Sequence, residues 1–198
     1  MKIAIIEDDK WYAEMLKYHV NLNPDVEAIV FEDSASFFAD KTVMDIVIMD
    51  YGLPDIAGDE LLTKLQNERS KSDVIVVSAQ EDVGTAIDLL KNGAFDYIVK
   101  DEDTKDRLWN AIHFIREQRQ LKERIEELED EVTSKYAFSN YIKGNSAVLK
   151  GIYKLMEKAC KTTINVSVTG ETGTGKELVA KAIHYNSDRK KKKFVAVN

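Results

Sequence analysis

Five short apolar runs, each ending on polar or charged residues, alternate with segments whose apolar residues recur at helical spacing. The runs are Lys2–Ile6, Glu27–Phe31, Ile46–Met49, the VIVVS segment that Asp73 introduces, and FDYIVK, which closes on Lys100. Continuous apolar runs bounded by turn residues are typical of strands buried on both faces. Because crossovers between parallel strands are right-handed, the alternation predicts an α/β fold, a doubly wound five-stranded parallel sheet with helices on both faces.

The segments between the runs are expected to be helices. The first carries Trp11, Met15 and Tyr18 or His19 on one face and is broken by Asn23-Pro24. Ser34 is expected to cap the second helix. The other expectations are a short helix over Phe37 and Phe38, a helix from Asp59 that buries Leu61, Leu62 and Leu65, and a helix from about Asp82 to Lys91 that stops at Asn92-Gly93.

Polar side chains follow four of the predicted strands where each strand ends. The first is followed by three acids, the third ends on Asp50, the fourth on Ser78 and the fifth on Lys100. The three acids are Glu7, Asp8 and Asp9. Because the carboxyl ends of parallel strands meet at one edge of a sheet, all these groups are expected in one crevice.

This set of side chains suits phosphoryl chemistry. Clustered carboxylates repel one another, and a hard cation such as Mg²⁺ relieves that repulsion. A carboxylate oxygen of Asp50 can then attack phosphorus, while Lys100 and Ser78 supply a charge and a hydrogen bond to the phosphoryl oxygens. Taken singly, each residue is also explained as a loop cap, a surface cation or a solvated helix start. Their joint arrival at strand ends favours the site.

The first 118 residues or so resemble the receiver domain of bacterial two-component response regulators, which has the CheY-like or flavodoxin-like fold. The motifs that carry this resemblance are IIEDD, MDYGLPDIAG, VVSAQ and DYIVK. It implies that Asp50 is the phosphoacceptor, that Glu7 and Asp8 hold Mg²⁺ with it, and that Lys100 assists. It also implies that Ser78 is a switch hydroxyl and Tyr97 an aromatic switch; otherwise Tyr97 is an ordinary strand tyrosine. The resemblance leaves self-dephosphorylation open.

Three positions depart from the pattern of that family. Glu7 stands where aspartate is commoner, and Tyr51 follows the phosphoacceptor in place of an aliphatic residue. Asp101 replaces the proline that usually follows the lysine, and that Lys-Pro bond is commonly cis. Because a cis bond before a residue other than proline costs about 2.5–4 kcal/mol, a trans bond or a strained loop is expected after Lys100.

One long helix is predicted past Thr104. Its first part, with Leu108, Ile112 and Ile115, is expected to pack on the sheet. Residues 119–137 form a linker in which Leu121, Ile125, Leu128 and Val132 recur at intervals of four, three and four. Apolar residues at this spacing between charges indicate a short coiled coil and favour a parallel homodimer. The alternative is a solitary amphipathic helix lying on its own domain.

Residues 138–198 contain a nucleotide-binding motif. SAVLKGIYKLMEKAC is expected to be a helix and Ile164–Val168 a buried strand, and GETGTGKE follows, before a second helix in LVAKAIHYNS. The strand, the turn with G-x-x-x-x-G-K and the helix match the context of a Walker A loop, so ATP is the expected ligand. The candidate residues are Gly170, Glu171, Thr172, Gly173, Thr174, Gly175, Lys176 and Glu177. Backbone N–H groups from Gly173 to Lys176 would hold its phosphates.

GETGTGKELVAKAIH, with Gly144-Asn145-Ser146 before it and FVAVN after it, resembles the start of the AAA+ ATPase domain of NtrC-type activators. The resemblance covers about sixty residues, and Glu177 after the lysine belongs to the pattern of that family. It implies a partner, RNA polymerase with the nitrogen-type alternative sigma factor. With one strand expected past the loop, the P-loop domain is expected to be incomplete and the chain truncated. Neither ATPase activity nor specific DNA binding is expected of this chain.

Composition sets limits on these interpretations. Of 198 residues, 44% are hydrophobic, and no basic leader or apolar run of about 20 residues suggests export or a membrane span, so a cytoplasmic protein is expected. Residues 1–118 carry 12 Lys and Arg against 25 Asp and Glu, whereas residues 138–198 carry 12 against 4. The acidic front is a poor nucleic-acid binder. The basic run Arg189–Lys193 is expected to be a solvated loop, and the single Cys160 a buried apolar residue.

Together these patterns predict a phosphorylation-dependent response regulator that a sensor histidine kinase phosphorylates on Asp50. Its output would be control of transcription through an NtrC-type AAA+ domain. Two alternatives stay open: an ATP-hydrolysing activator of sigma-factor-dependent transcription in the whole protein, and a dimeric interaction module that ignores phosphorylation. The kinase, its stimulus, the target genes and the effect of phosphorylation on the dimer do not follow from the sequence.

Overall fold

The computed structural model describes residues 1–136, 138, 142 and 146–197. The chain divides into two compact units, Met1–Gln118 and Arg119–Asn198. The boundary expected between a linker and a P-loop region at residues 137 and 138 falls next to residues outside the described part, and the three-part division stays a prediction. The first unit and the helix that leaves it contain β1 (Lys2–Ile6), α1 (Lys10–Val20), β2 (Glu27–Phe31), α2 (Ser34–Ala39), β3 (Ile46–Asp50), α3 (Gly58–Glu68), β4 (Asp73–Ser78), α4 (Val83–Lys91), β5 (Asp96–Val99) and α5 (Thr104–Lys135).

The five strands form one parallel sheet in the order β2-β1-β3-β4-β5, which confirms the predicted fold class. All five residues of β3, the middle strand, are buried. A strand covered on both faces needs apolar side chains in both directions, which is why IVIM forms an unbroken run. The central position of β3 brings Asp50 to the middle of the carboxyl edge.

Helices cover both faces of the sheet, so the first unit has two apolar cores. One lies between the sheet and helices α1 and α5, and includes Ile3, Ile5, Ile48, Val77, Ile98, Leu16, Leu108, Ile112 and Ile115. The other lies beneath α2, α3 and α4, and includes Ala4, Ile6, Val47, Met49, Val76, Phe37, Leu61, Leu62, Leu65 and Leu89. Each fully buried aliphatic side chain contributes about 1.5–3 kcal/mol. The strands are therefore fixed from both sides.

The apolar residues grouped on one face of α1 are not its buried set, although Met15 packs partly buried against the core. Trp11 and Tyr18 are 74% and 65% exposed, whereas Ala13, Leu16 and Val20 are buried. Both sets recur at helical spacing, so periodicity alone did not separate them. The cap at Asp9 starts the helix two residues after Glu7 and sets its phase, and the small Ala13 lets the helix approach the sheet closely.

Helix α2 begins with a different cap from the one expected. The Asp33 side chain accepts from Ser36 N at 2.7 Å, so Asp33 is the N-cap. Ser34 is instead the first helical residue and donates through its N and Oγ to Asp55 Oδ2, at 2.9 and 2.7 Å. The other expectations for α2 to α4 are confirmed, including the burial of Phe37 and the end of α4 at Asn92 before Gly93, whose φ is 92°.

Helix α5 is continuous over 32 residues, as predicted past Thr104. Leu108, Ile112 and Ile115 are buried against the sheet, which confirms their predicted role. Beyond Gln118 the predicted seam residues are 40–64% exposed in the single chain. These residues are Leu121, Ile125, Leu128 and Val132. Neither α5 nor any other helix in the part that the structure describes is long and apolar enough to cross a membrane.

The second unit also contains α6 (Ala147–Cys160) and α7 (Lys176–Tyr185), both as predicted. Cys160 is 8% exposed on the inner face of α6, as expected of a buried apolar residue. The predicted buried strand at Ile164–Val168 is wrong, because this segment is largely exposed and forms no ladder. Residues 194–197 form no strand either. A strand is stabilised by paired neighbours, and the described residues supply none to these two segments.

Candidate functional site

Four strand ends bring their polar side chains to one edge of the sheet. Glu7 directly follows β1, Asp50 and Ser78 are the last residues of β3 and β4, and Lys100 directly follows β5. Glu7, Asp50 and Ser78 are buried, with exposed fractions of 2%, 8% and 2%. Polar groups buried this deeply need hydrogen-bond partners. The strands beneath them are apolar, so the partners must come from the other polar groups of the site and from the loops.

Lys100 joins the ends of the first and third strands. Its Nζ donates to Glu7 Oε2 at 2.8 Å and Oε1 at 3.1 Å, and to Asp50 Oδ2 at 2.8 Å. The side chain of Lys100 is 17% exposed, so these charge-assisted hydrogen bonds are shielded from water. The ammonium therefore lies at the position from which it can reach groups attached to Asp50.

Two carboxyl groups share this one ammonium, which leaves a surplus acid in a buried place. Burial raises the pKa of Glu7 to about 7; the hydrogen bond from Lys100 opposes the rise and the charge of Asp50 adds to it. Burial acts to lower the pKa of Lys100, but its bonds to Asp50 and Glu7 outweigh that and raise it. The lysine therefore stays charged, and Glu7 binds a proton more readily than an ordinary glutamate does.

The acidic residues separate into a set that could hold a metal ion and a helix cap. One oxygen each of Glu7, Asp8 and Asp50 lies within 4.8 Å of the others, and Asp8 is exposed to solvent. Three hard oxygen donors, one facing water, fit Mg²⁺, which keeps several water ligands. Asp9 does not join them, because its Oδ1 accepts from Trp11 N and Tyr12 N at 2.9 and 3.1 Å and caps α1.

The loop after Asp50 contacts the side chain of that residue and begins helix α3. Gly52 N donates to Asp50 Oδ1 at 3.1 Å, and Tyr51 OH donates to Asp59 Oδ1 at 2.8 Å. The Tyr51 ring lies against Gly58 so closely that a Cβ there would be 2.2 Å from Tyr51 Cδ2. The tyrosine after Asp50 is thus accommodated by a glycine at the start of α3.

Ser78 and Tyr97, expected as two switch residues, are linked through the loop after β4. Gln80 N donates to Ser78 Oγ at 3.1 Å, and Tyr97 OH donates to Gln80 O at 2.7 Å. Gln80 was not singled out in the sequence, because it contributes only backbone atoms. These two hydrogen bonds form a continuous path from the Ser78 hydroxyl to the Tyr97 side chain.

The turn after Lys100 is closed by Thr104 and not by a proline. The Lys100–Asp101 bond is trans, as one of the two expectations had it. Thr104 Oγ1 accepts from Asp101 N at 2.7 Å and donates toward Asp101 O and Val99 O at 2.8 and 3.0 Å. Asp101 also pairs with Arg107. Thr104 is 2% exposed, and its position at the start of a helix was the signal for this role.

The Walker A candidate residues, Gly170 to Glu177, form an exposed turn that leads into α7. Gly173 and Gly175 adopt φ values of 84° and 87°, which favour glycine, and Gly175 is the N-cap of the helix. Lys176 Nζ donates to Gly170 O at 3.0 Å and to Glu171 O at 2.6 Å. The lysine thus folds back over the loop, where its ammonium binds two carbonyl oxygens of the loop itself. Glu177 pairs with Lys181 at 2.7 Å.

Two family models match the chain. Residues 3–113 match the response regulator receiver domain, and residues 142–198 match the sigma-54 interaction domain. The regulatory protein AtoC of Escherichia coli is 34% identical over 154 residues, which cover 78% of this chain and 33% of that protein. The DNA-binding transcriptional regulator NtrC of E. coli is 29% identical, over 99% of this chain and 41% of that protein.

Among solved structures, NtrX from Brucella abortus in complex with ATP is 25% identical, with a TM-score of 0.56. That similarity covers 100% of this chain and 43% of the NtrX chain. The chain thus spans about a third to two fifths of the length of the relatives named here. The receiver model alone covers more than half of the chain, and the order of the two domains is that of these relatives. The chain therefore belongs to the response regulators, in the NtrC-type group that joins a receiver domain to a sigma-54 interaction domain.

Proposed function

We propose that this receiver accepts a phosphoryl group on Asp50, with Mg²⁺ held by Glu7, Asp8 and Asp50. The single observation that carries the proposal is the position of the Lys100 ammonium, 2.8 Å from both Glu7 and Asp50 at the carboxyl edge of the sheet. A lysine buried between two acids contributes no more to stability than apolar residues would, so its placement suits chemistry better than packing. The cluster of three carboxylates around it supports the metal site.

The side chains divide the work of phosphoryl transfer among them. A carboxylate oxygen of Asp50 forms the new bond to phosphorus as the bond from phosphorus to the donor's leaving atom breaks. Bound Mg²⁺ supplies charge neutralisation for the phosphoryl oxygens. Lys100 exchanges its bond with Asp50 for one to a phosphoryl oxygen, and the Ser78 hydroxyl donates to another. The bond between Gln80 N and Ser78 Oγ then changes, which moves the loop that Tyr97 holds.

The phosphodonor in the cell is a sensor histidine kinase, and the output of the whole protein is control of transcription with RNA polymerase and the sigma-54 factor. The match of residues 142–198 to a sigma-54 interaction domain supports this assignment. The exposed seam from Leu121 to Val132 supports a homodimer, in which phosphorylation changes how two receivers pair. Nucleotide binding at Gly170–Glu177 is a second proposal, favoured by the left-handed glycines and the Lys176 contacts. Hydrolysis of ATP belongs to the whole protein.

The test is to incubate the chain with Mg²⁺ and acetyl phosphate and to measure added phosphate mass on the intact protein. We expect one phosphoryl group on the wild type, none on Asp50→Ala, and wild-type labelling on Asp88→Ala, an exposed acid on α4. Oligomeric mass is recorded in parallel. Labelling of Asp50→Ala, or none on a folded wild type that binds Mg²⁺, would remove Asp50 as the acceptor. An unchanged oligomeric mass on labelling would favour the phosphorylation-independent module.

A further inference from the structure

Tyr12 lies beside the reaction site without belonging to any of its predicted groups. The residue stands in the first turn of α1, and its backbone N donates to the Asp9 cap. Its ring faces the site, with Lys100 Nζ 4.5 Å from the ring centroid. No other aromatic ring in the described residues has this lysine over its face. The start of the first helix thus supplies one wall of the space that the ammonium occupies.

The ring completes the surroundings of the ammonium. An ammonium has three N–H donors and no acceptor, and Glu7 and Asp50 take the donors. The face of an aromatic ring carries partial negative charge and attracts a cation, most strongly where water is excluded. With Lys100 only 17% exposed, the ring replaces water on the remaining side of the cation.

The ring, and not the hydroxyl, is the part of the Tyr12 side chain that faces the ammonium. Its oxygen is buried and has no hydrogen-bond partner among the described residues. Thr104 is the neighbouring polar side chain, but its hydroxyl is already engaged by the turn at Val99 and Asp101. A phenylalanine would therefore present the same ring to Lys100 without an unsatisfied oxygen.

We propose that Tyr12 is a positioning residue for phosphoryl transfer, whose ring holds the Lys100 ammonium at the sheet edge when Glu7 and Asp50 turn to the metal and the phosphoryl group. This inference rests on the proposed function. When Asp50 forms the acyl phosphate, the oxygen that carries phosphorus loses its charge, and a metal held by Glu7 would compete with Lys100 for that carboxylate, so both acids hold the lysine less strongly. The ring has no such alternative partner and acts throughout the reaction, directing Nζ to the phosphoryl oxygen.

The variants Tyr12→Met and Tyr12→Leu remove the ring and keep apolar bulk, and Tyr12→Phe keeps the ring. Tyr18→Leu is the matched control, since Tyr18 lies on the same helix with its ring 65% exposed. At saturating acetyl phosphate, we expect the labelling rate constant to fall roughly 3- to 30-fold without the ring, from the usual strength of such contacts. Tyr12→Phe and Tyr18→Leu should stay within about twofold of the wild type.

A second readout needs no phosphorylation. Trace acetylation by acetic anhydride, followed by peptide mass spectrometry, measures how readily each lysine reacts. We expect Lys100 to react faster in Tyr12→Met and Tyr12→Leu, relative to the exposed Lys10, and at the wild-type rate in Tyr12→Phe. Should both Tyr12→Met and Tyr12→Leu fail to fold, a slower labelling rate or a more reactive Lys100 in Tyr12→Phe would overturn the proposal.

The outcomes separate the two proposals. An unlabelled wild type sinks the phosphoacceptor role, whereas the reactivity of Lys100 still tests what Tyr12 does. Wild-type labelling together with wild-type Lys100 reactivity in a folded Tyr12→Met overturns the positioning role and leaves Asp50 untouched. Loss of labelling in Tyr12→Phe as well would assign the effect to the hydroxyl and equally refute a role for the ring.

Discussion

At the scale of single residues, the site contains more acidic groups than basic groups. Glu7 and Asp50 share one ammonium, and burial raises the pKa of Glu7 to about 7. Between pH 4.5 and about 7, the folded protein therefore retains a proton on Glu7 that the unfolded chain, with an ordinary pKa of 4.5, has released. Glu7, which is proposed to bind the metal ion, thus destabilises the fold when it ionises in the absence of that ion.

This predicts how stability depends on pH without Mg²⁺. Between pH 4.5 and 7 the folded state holds more protons on Glu7 than the unfolded state, so raising the pH lowers the free energy of unfolding. The contribution is fully present below pH 4.5 and lost above about 7, and amounts to at most about 3 kcal/mol. Urea unfolding from pH 5 to 8 measures it. In Glu7→Gln the slope should flatten, and an equally steep slope there would assign it to other groups.

A second prediction concerns Gly58. Its Cβ in Gly58→Ala would lie 2.2 Å from the Tyr51 ring, so the ring must leave Asp59 and its bond of 2.8 Å. We expect a loss of about 1–3 kcal/mol in the free energy of unfolding, the usual cost of overpacking. Gly151→Ala is the control, because nothing lies within 4 Å of a Cβ there. Adding Tyr51→Leu should restore much of the loss, and strictly additive effects would contradict the contact.

At the scale of elements, apolar runs predicted the five strands of the sheet well, because a strand buried on both faces needs apolar side chains at successive positions. Helix faces were harder, since Trp11 and Leu16 belong to stripes that periodicity treats alike. The segment Ile164–Val168 has the residues of a strand but no paired neighbour among the described residues, and pairing is a property of the surroundings. The role of Tyr12 was missed because it depends on a distance that no spacing reveals, and that of Thr104 because its position at the start of a helix was not used as a signal.

The seam of α5 gives the element-scale prediction. Ile125 and Leu128 are 56% and 45% exposed in one chain, and burying them in a coiled coil would stabilise a dimer. Replacing both by serine should move the protein toward monomer in sedimentation equilibrium, while Glu123→Ser with Asp130→Ser, on the outer side of the heptad, should not. Equal oligomeric mass in both double variants would favour the solitary helix.

At the scale of the whole molecule, all groups assigned to phosphoryl transfer lie within Met1–Gln118, one of the two compact units. The apolar residues of α5 that complete its core, from Leu108 to Ile115, lie there too. Both the fold class and the convergence of the site were predictable from the sequence, because strand ends in a doubly wound sheet meet by topology. The roles of the individual residues are predictions that chemistry must test.

We therefore expect a chain ending at Gln118 to fold alone, with a single cooperative urea transition. Its labelling by acetyl phosphate should match that of the longer chain within about twofold, since it keeps every contact of the site. Asp50→Ala in the short chain serves as the blank. A large drop in rate on shortening would show that residues after 118 support the chemistry.

The bond between Lys100 and Glu7 joins residues 93 positions apart, and β3 and β4 lie between their strands in the sheet. A ribosome releases Glu7, Asp8 and Asp50 well before the last strand, and contacts between such distant positions form late in folding. A partly synthesised chain thus carries these three acidic residues without the ammonium of Lys100. The set of charged groups is therefore complete only after the fifth strand and Lys100 have been synthesised.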